Sequence, residues 1–394
     1  MEWNGKKNSN WIKVLNMIKL LSNFIIVLVA STIGLLLCEF GSRFILNPVD
    51  YLSPTVIRDN VLGVIIPPKS SGHDEWGFRN RKVPSSVDIV ALGDSHTYGN
   101  TAKMTESWPN IVGKLTGKSV YNFGLGGYSP NQYYYLFQNK ALNLKPNIII
   151  CGLYMGDDFL GALEMTYSLE YWKFLRNPSF DQKVDYRDVW EKIPDISWHK
   201  EARNWLSTHS FIYRLTVHGL FDRLKGSVQI RNASKYYEST SVLIEHENNI
   251  EEAFLPKGVK KNLDQQNPGI KEGMRITFHI LKDMNDICKR NNIIFIVAVI
   301  PTKESVFSKH IENNSKMFLS DVIDSAIKNE NIARKMLFEY FLKYDIRYID
   351  LLPPMQSAVE REKIYAASAV DTHPNKNGYR VIGEYIARYI SSSF

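Results

Sequence analysis

The stretch Val87-Asp88-Ile89-Val90-Ala91-Leu92-Gly93-Asp94-Ser95 decides how this chain reads. Its apolar half is a continuous run, as in a strand covered on both faces, and Gly93 ends it in a turn. Ser95 then sits at the mouth of a strand-to-loop turn, where an exposed hydroxyl invites nucleophilic chemistry. Far downstream, Asp371-Thr372-His373-Pro374-Asn375 holds a base and an orienting carboxylate of the kind a serine needs. Gly-Asp-Ser alone says little. Followed late in the chain by Asp-x-His-Pro, it points to an activated serine.

Outward from that run, further short apolar segments at 119–123, 147–153, 293–300 and 346–350 predict strands of the same buried type. Stretches of helical period lie between them. Trp108, Ile111, Val112 and Leu115 recur at three- and four-residue spacing, and Tyr379, Ile382, Ile386, Tyr389 and Ile390 mark one face of a last helix begun by Pro374-Asn375. The expected fold class is α/β, a parallel sheet of about five strands flanked by helices, with the loops at its carboxyl ends carrying every motif.

At 394 residues, with 44% apolar and 12% aromatic side chains, the chain has ample material for a core, which excludes disorder throughout. The formal charge of +7 is partly local: Lys6, Lys7, Lys13 and Lys19 stand against Glu2 in the first 19 residues. The remainder is too weakly basic for a nucleic-acid binder, and no basic run with interleaved aromatics occurs. Residues 20–38 carry no charge and are long enough for a hydrocarbon core of about 30 Å, so they read as a membrane helix. The lysines before it, with Glu39 and Arg43 cancelling after it, predict a cytoplasmic N-terminus. A cleaved signal is the competing reading. No small-x-small site follows, and Leu37 before Cys38 does not suit a lipoprotein signal.

The expected organisation is a basic tail at 1–19, an anchor at 20–38, an irregular lead-in at 39–85, and a hydrolase-like domain at 86–394. An insertion at about 160–270, holding Trp172, Trp190, Trp198 and Trp205, interrupts that domain, with a helix expected from Ser210 to Leu224 and a polar stretch after it. The three cysteines, Cys38, Cys151 and Cys288, define no disulfide framework, and Cys151 reads as a small core residue. Asn232-Ala233-Ser234 and Asn313-Asn314-Ser315 fit glycosylation sequons.

Four blocks occur in one order: Gly93-Asp94-Ser95, Asn122-Phe123-Gly124-Leu125-Gly126-Gly127, Gly156-Asp157-Asp158 and Asp371-Thr372-His373. On these the chain resembles the SGNH/GDSL hydrolases, serine esterases and acyltransferases of flavodoxin-like fold, over about residues 85–160 and 290–394. Trp76-Gly77-Phe78-Arg79-Asn80, with the single apolar N-terminal segment, resembles the membrane-anchored branch of that family. The resemblance implies a catalytic set of Ser95 as nucleophile, His373 as base and Asp371 as its orienting carboxylate, with no cofactor and no metal. It assigns the oxyanion hole to the N–H groups of Ser95 and Gly127 and to the side chain at position 157. There the chain departs from the family, with Asp157 in place of asparagine. An ionised carboxylate repels an oxyanion, whereas a protonated one can donate to it. His96, next to the nucleophile, reads as an exposed loop histidine, with a place in a substrate subsite as the alternative.

Two other classes compete. Gly-Asp-x-His, Gly-Asp-Asp and Asp-x-His echo the ligands of a metal-dependent phosphoesterase, but in the wrong order and without Gly-Asn-His. A catalytically silent glycan- or partner-binding module would account for Asp157. The reading that absorbs most of the residues is a membrane-anchored, extracytoplasmic serine esterase or acyltransferase. Its expected substrate is an acylated carbohydrate or other ester, with a short acyl group, acetyl first, on a cell-envelope polysaccharide.

Overall fold

The computed structural model describes residues 3–180, 198–220, 241–245, 250–312, 320–366 and 371–394. Strands β1 (Ile89–Gly93), β2 (Val120–Asn122), β3 (Ile148–Tyr154), β4 (Ile294–Ile300) and β5 (Arg347–Asp350) form one parallel sheet in the order β2-β1-β3-β4-β5. This is the flavodoxin-like order expected from the blocks. Ile89 pairs with Val120 on one side and Ile148 on the other, and Ile148 pairs with Ile294. Every residue of β1 and β3 is buried, which is why these strands appear in the sequence as unbroken apolar runs.

Side chains alternate between two cores. Val90, Leu92, Ile149, Cys151, Val297 and Val299 face one layer of helices, while Ile89, Ala91, Ile148, Ile150, Ile296 and Ala298 face the other. Each of the valine, leucine and isoleucine side chains among them, fully buried, contributes about 1.5–3 kcal/mol. Cys151 is a core residue whose thiol burial pushes far up, so it stays protonated and inert.

Helix α1 (Trp3–Ile45) contains an apolar segment, Leu15–Ile45, long enough to cross a membrane, and that segment extends beyond the expected 20–38 on both sides. The one-turn helix α2 (Ser95–Tyr98) follows β1, and α3 (Trp108–Thr116) carries fully buried Trp108 against the sheet. Then come α4 (Asp158–Ser168), α5 (Trp198–His209), α6 (Pro268–Arg290), α7 (Ser320–Tyr344) and α8 (Lys376–Ser393). Asn375 caps α8 by accepting from the N–H groups of Asn377 and Gly378, which is where Pro374-Asn375 predicts the start.

Within 160–270, Trp172 is core and donates its indole N–H to Val61 O at 2.8 Å, whereas Trp205 is exposed. A helical stretch does begin after Ser210, as Phe211–Tyr213 followed by the wider turns of Arg214–Leu220. The rest of the expected Ser210 to Leu224 helix, Trp190, and both sequons at their asparagines lie outside the described residues. Phe254, Leu263 and Ile270 are buried, so the last part of this stretch contributes to the core.

The end of α1 docks onto the domain. Glu39 accepts from Ser210 Oγ at 3.0 Å and from the N–H groups of Phe211 and Ile212, and Arg43 donates to His209 O at 2.7 Å. The carboxylate thus caps the turn that follows α5.

Candidate active site

The strand order reverses at β1, so the loops after β1, β2 and β3 open into one crevice at the carboxyl edge of the sheet. Asp94 ends β1 and caps α2, its carboxylate accepting from His96 N–H at 2.9 Å. Gly99 closes that single turn with φ +86. The turn packs directly on the glycine block: a Cβ on Gly124 would lie 2.2 Å from Tyr98 N, a distance only glycine permits.

Across the crevice, the loop 371–375 is strapped down at several points. Ala366 N–H donates to His373 O, Asn375 N–H to Ile364 O, and Thr101 Oγ to Pro374 O at 2.6 Å. This holds His373 opposite Ser95. His373 Nε2 lies 2.8 Å from Ser95 Oγ, and its Nδ1 lies 2.6 Å from Asp371 Oδ1, which also accepts from His373 N–H at 2.9 Å. The Asp-x-His spacing therefore suffices to align carboxylate, imidazole and hydroxyl in one line. Burial alone would lower the His373 pKa. The hydrogen bond and charge of Asp371, with Asp94 and Asp157 beyond, outweigh burial and raise it. Burial likewise opposes charge on Asp371, but the His373 ring and N–H keep its carboxyl below the ordinary range.

Gly127 lies beside this pair with φ +77, and a Cβ there would meet no heavy atom within 4 Å. A Cβ on Gly126 would stand 3.9 Å from Ser95 Cβ, so the glycine block borders the nucleophile. Asp157 is exposed at the start of α4, while Asp158 is buried. The carboxyl that burial shifts toward its protonated form is that of Asp158, one residue after the position where both states were open. Burial, with Asp94 and Asp157 nearby, pushes Asp158 well above the carboxylate range, where it pairs with Tyr133 OH at 2.9 Å and accepts from Tyr154 N–H at 2.9 Å. Asp157 stands close enough to His373 for its charge to raise the imidazole pKa.

His96 is not an exposed loop residue. It is 2% exposed, its Nδ1 lies 3.0 Å from Asp94 Oδ2, and its ring rests on Tyr154 and beside His373. Of the α2 turn, His96 and Thr97 are buried while Ser95 stays at the crevice. Asn122 is the other residue whose role the sequence did not disclose: its Nδ2 donates to Thr97 O at 2.8 Å and its Oδ1 accepts from Gly124 N–H at 2.7 Å. Asn80 in turn clasps the Asn122 backbone at both ends, and Arg79 bonds to Gly99 O, Ala102 O and Asp50. The Trp76 to Asn80 motif thus clamps the nucleophile turn from outside.

Among the described residues, Asp94 pairs with His96 and Asp371 with His373. The pairs that echo a metal site are engaged one carboxylate to one imidazole.

The doubly wound parallel sheet thus brings Ser95, His373 and Asp371 together in one hydrogen-bonded line. The chain is similar to a GDSL-like lipase from Bacteroides thetaiotaomicron at 12% identity and TM-score 0.38, over 79% of this chain and 93% of that one. It is also similar to a member of the lipolytic G-D-S-L family from Veillonella parvula, at 12% identity and TM-score 0.37, over 78% and 99% of the two chains. A third similar structure is a catalytic mutant of an acetylxylan esterase from Geobacillus stearothermophilus, at 10% identity and TM-score 0.39, over 78% and 95%. No family model and no curated protein matches the chain.

Proposed function

We propose that this protein is a membrane-anchored serine esterase or acyltransferase whose domain lies outside the cytoplasmic membrane and acts on acylated carbohydrate of the cell envelope. The observation that carries the catalytic part is the 2.8 Å contact of Ser95 Oγ with His373 Nε2, backed by Asp371 at 2.6 Å. In this reading Ser95 Oγ attacks the ester carbonyl while His373 Nε2 takes its proton. The N–H groups of Ser95 and Gly127 receive the oxyanion. The intermediate collapses as His373 returns the proton to the departing alcohol oxygen, leaving the acyl group on Ser95. Water or a sugar hydroxyl then attacks with His373 again as base, which distinguishes hydrolysis from transfer.

The N-terminal lysines and the apolar helix support the orientation, and the docking of Glu39 on the Ser210 turn supports an uncleaved anchor. Asp157 supports a modified electrostatic role: a charge that favours the imidazolium formed during attack. The test is labelling of the purified full chain with a fluorophosphonate probe, beside turnover of aryl esters and acylated glycans. The reading requires labelling and turnover that vanish in Ser95→Ala. An unlabelled, folded wild type refutes it.

A further inference from the structure

A cavity of about 450 Å³ is lined on one side by Gly126 and Gly127 of the glycine block. It meets the reaction centre only through Gly126 and Gly127, and neither Ser95 nor His373 lines it. One wall is the lead-in, with Pro54, Val56, Leu62 and Val64, and another is α4, with Met165. The end of α5 supplies the roof, where Ser53 N–H donates to Ser207 O at 3.0 Å and Ser71 Oγ to Thr208 O. The polar wall at its back is already paired: Gln132 Oε1 accepts from Ser129 N–H and Oγ, and its Nε2 donates to Leu62 O. The buried Glu164 carboxylate also has its own partner.

We infer that this cavity holds the acyl group of the substrate, and that the acyl group is a chain of medium length and not acetyl. This rests on the serine-esterase reading. The leaving oxygen must face His373 Nε2 to receive its proton, so the alcohol or sugar lies on the His373 side. The acyl group then extends the other way, over Gly126 and the open space at Gly127, into the cavity. A cavity of about 150 Å³ suffices for benzene, so this one has room for about eight to twelve carbons. Acetyl would leave most of it unfilled. Its roof is held by the residues just before His209, the same turn that Arg43 and Glu39 fasten to the end of α1. The roof of the cavity therefore lies beside the end of α1, which in the proposed function is the membrane anchor, where acyl chains of amphiphilic esters are available.

The experiment uses the purified full chain in one detergent with p-nitrophenyl acetate, butyrate, octanoate and decanoate. kcat/KM should rise with chain length and reach at least tenfold over acetate at octanoate, since each buried methylene contributes about fourfold. Val64→Phe, which fills the cavity, should cut the octanoate-to-acetate ratio at least tenfold. Val56→Trp at the exposed rim should shift the ratio in the same direction, and is a second variant should Val64→Phe fail to fold. Acetate as the best substrate, with both ratios unmoved and Ser95 labelled by fluorophosphonate, overturns the acyl pocket alone. No labelling and no turnover of any ester overturns the esterase reading and the pocket with it.

Discussion

His96 lies flat against Tyr154, with ring centroids 3.8 Å apart, and this stack forms the floor under His373, whose ring lies 4.8 Å from that of His96. Burial pushes the His96 pKa below its ordinary value, against the pull of Asp94, so the folded protein holds it neutral. A depressed folded pKa means stability is fully present above the unfolded value of about 6.5 and is lost as pH falls from there toward the folded value. From this group alone, wild type should lose up to about 1.4 kcal/mol of stability per pH unit between pH 7 and pH 5. His96→Gln, which keeps a donor toward Asp94, should lack that loss, so the difference in melting temperature between wild type and variant should narrow as pH falls, while the contributions of His73, Glu304 and His373 are shared by both proteins. Equal slopes for the two proteins would contradict a neutral, buried His96.

Ser95→Ala and His373→Ala should each reduce ester turnover by about 10⁴-fold or more, and the double variant should be no worse than the poorer single. Both groups serve one proton transfer across a 2.8 Å contact. Multiplying losses would show that they do not act together. Asp371→Asn should lose a similar amount or less through the wrong imidazole tautomer.

Asp157 should contribute to the acid limb of activity, behind Asp371 and Asp94. His373 must be neutral to accept the Ser95 proton, so kcat/KM falls as pH drops through its raised pKa. Asp157→Asn removes one of the charges that raise it and should move that limb to lower pH. At high pH the variant should be at least as active as wild type, because an amide donor replaces a carboxylate near the oxyanion. A folded variant that is inactive at every pH would remove Asp157 from the oxyanion side of the site.

Asn122→Ala strands Thr97 O and Gly124 N–H, both buried between the nucleophile turn and the glycine block. The expected cost is about 2–4 kcal/mol, with kcat falling more than KM rises as Ser95 and Gly127 lose their mutual register. A variant with wild-type melting and unchanged kcat would show that this asparagine does not hold the two turns together.

Protease added to intact spheroplasts should digest the domain beyond Arg43, given four lysines before the apolar helix. Digestion only after the membrane is opened would reverse the orientation.

Much of this molecule is determined locally and is therefore legible in the sequence. Strands covered on both faces cannot contain polar residues, so β1, β3 and β4 stand out as apolar runs to within two residues of their ends. Residues 20–38 stand out as an uncharged run long enough to cross a membrane, and the Gly-Asp-Ser turn and the Asp-x-His-Pro cap are short-range devices readable from spacing. The tertiary structure decided everything that depends on direction. Asp157 and Asp158 are adjacent and chemically alike, yet at the start of α4 one points to the solvent near His373 and the other into the core beside Tyr133. A helix turns each successive side chain by about 100°, and no local signal says which of two acids faces inward. His96 was hidden for the same reason. The contact of Ser95 with His373 spans 278 residues, and the cavity beside the glycine block is walled by the lead-in, the glycine block, α4 and α5, segments that only the tertiary packing brings together.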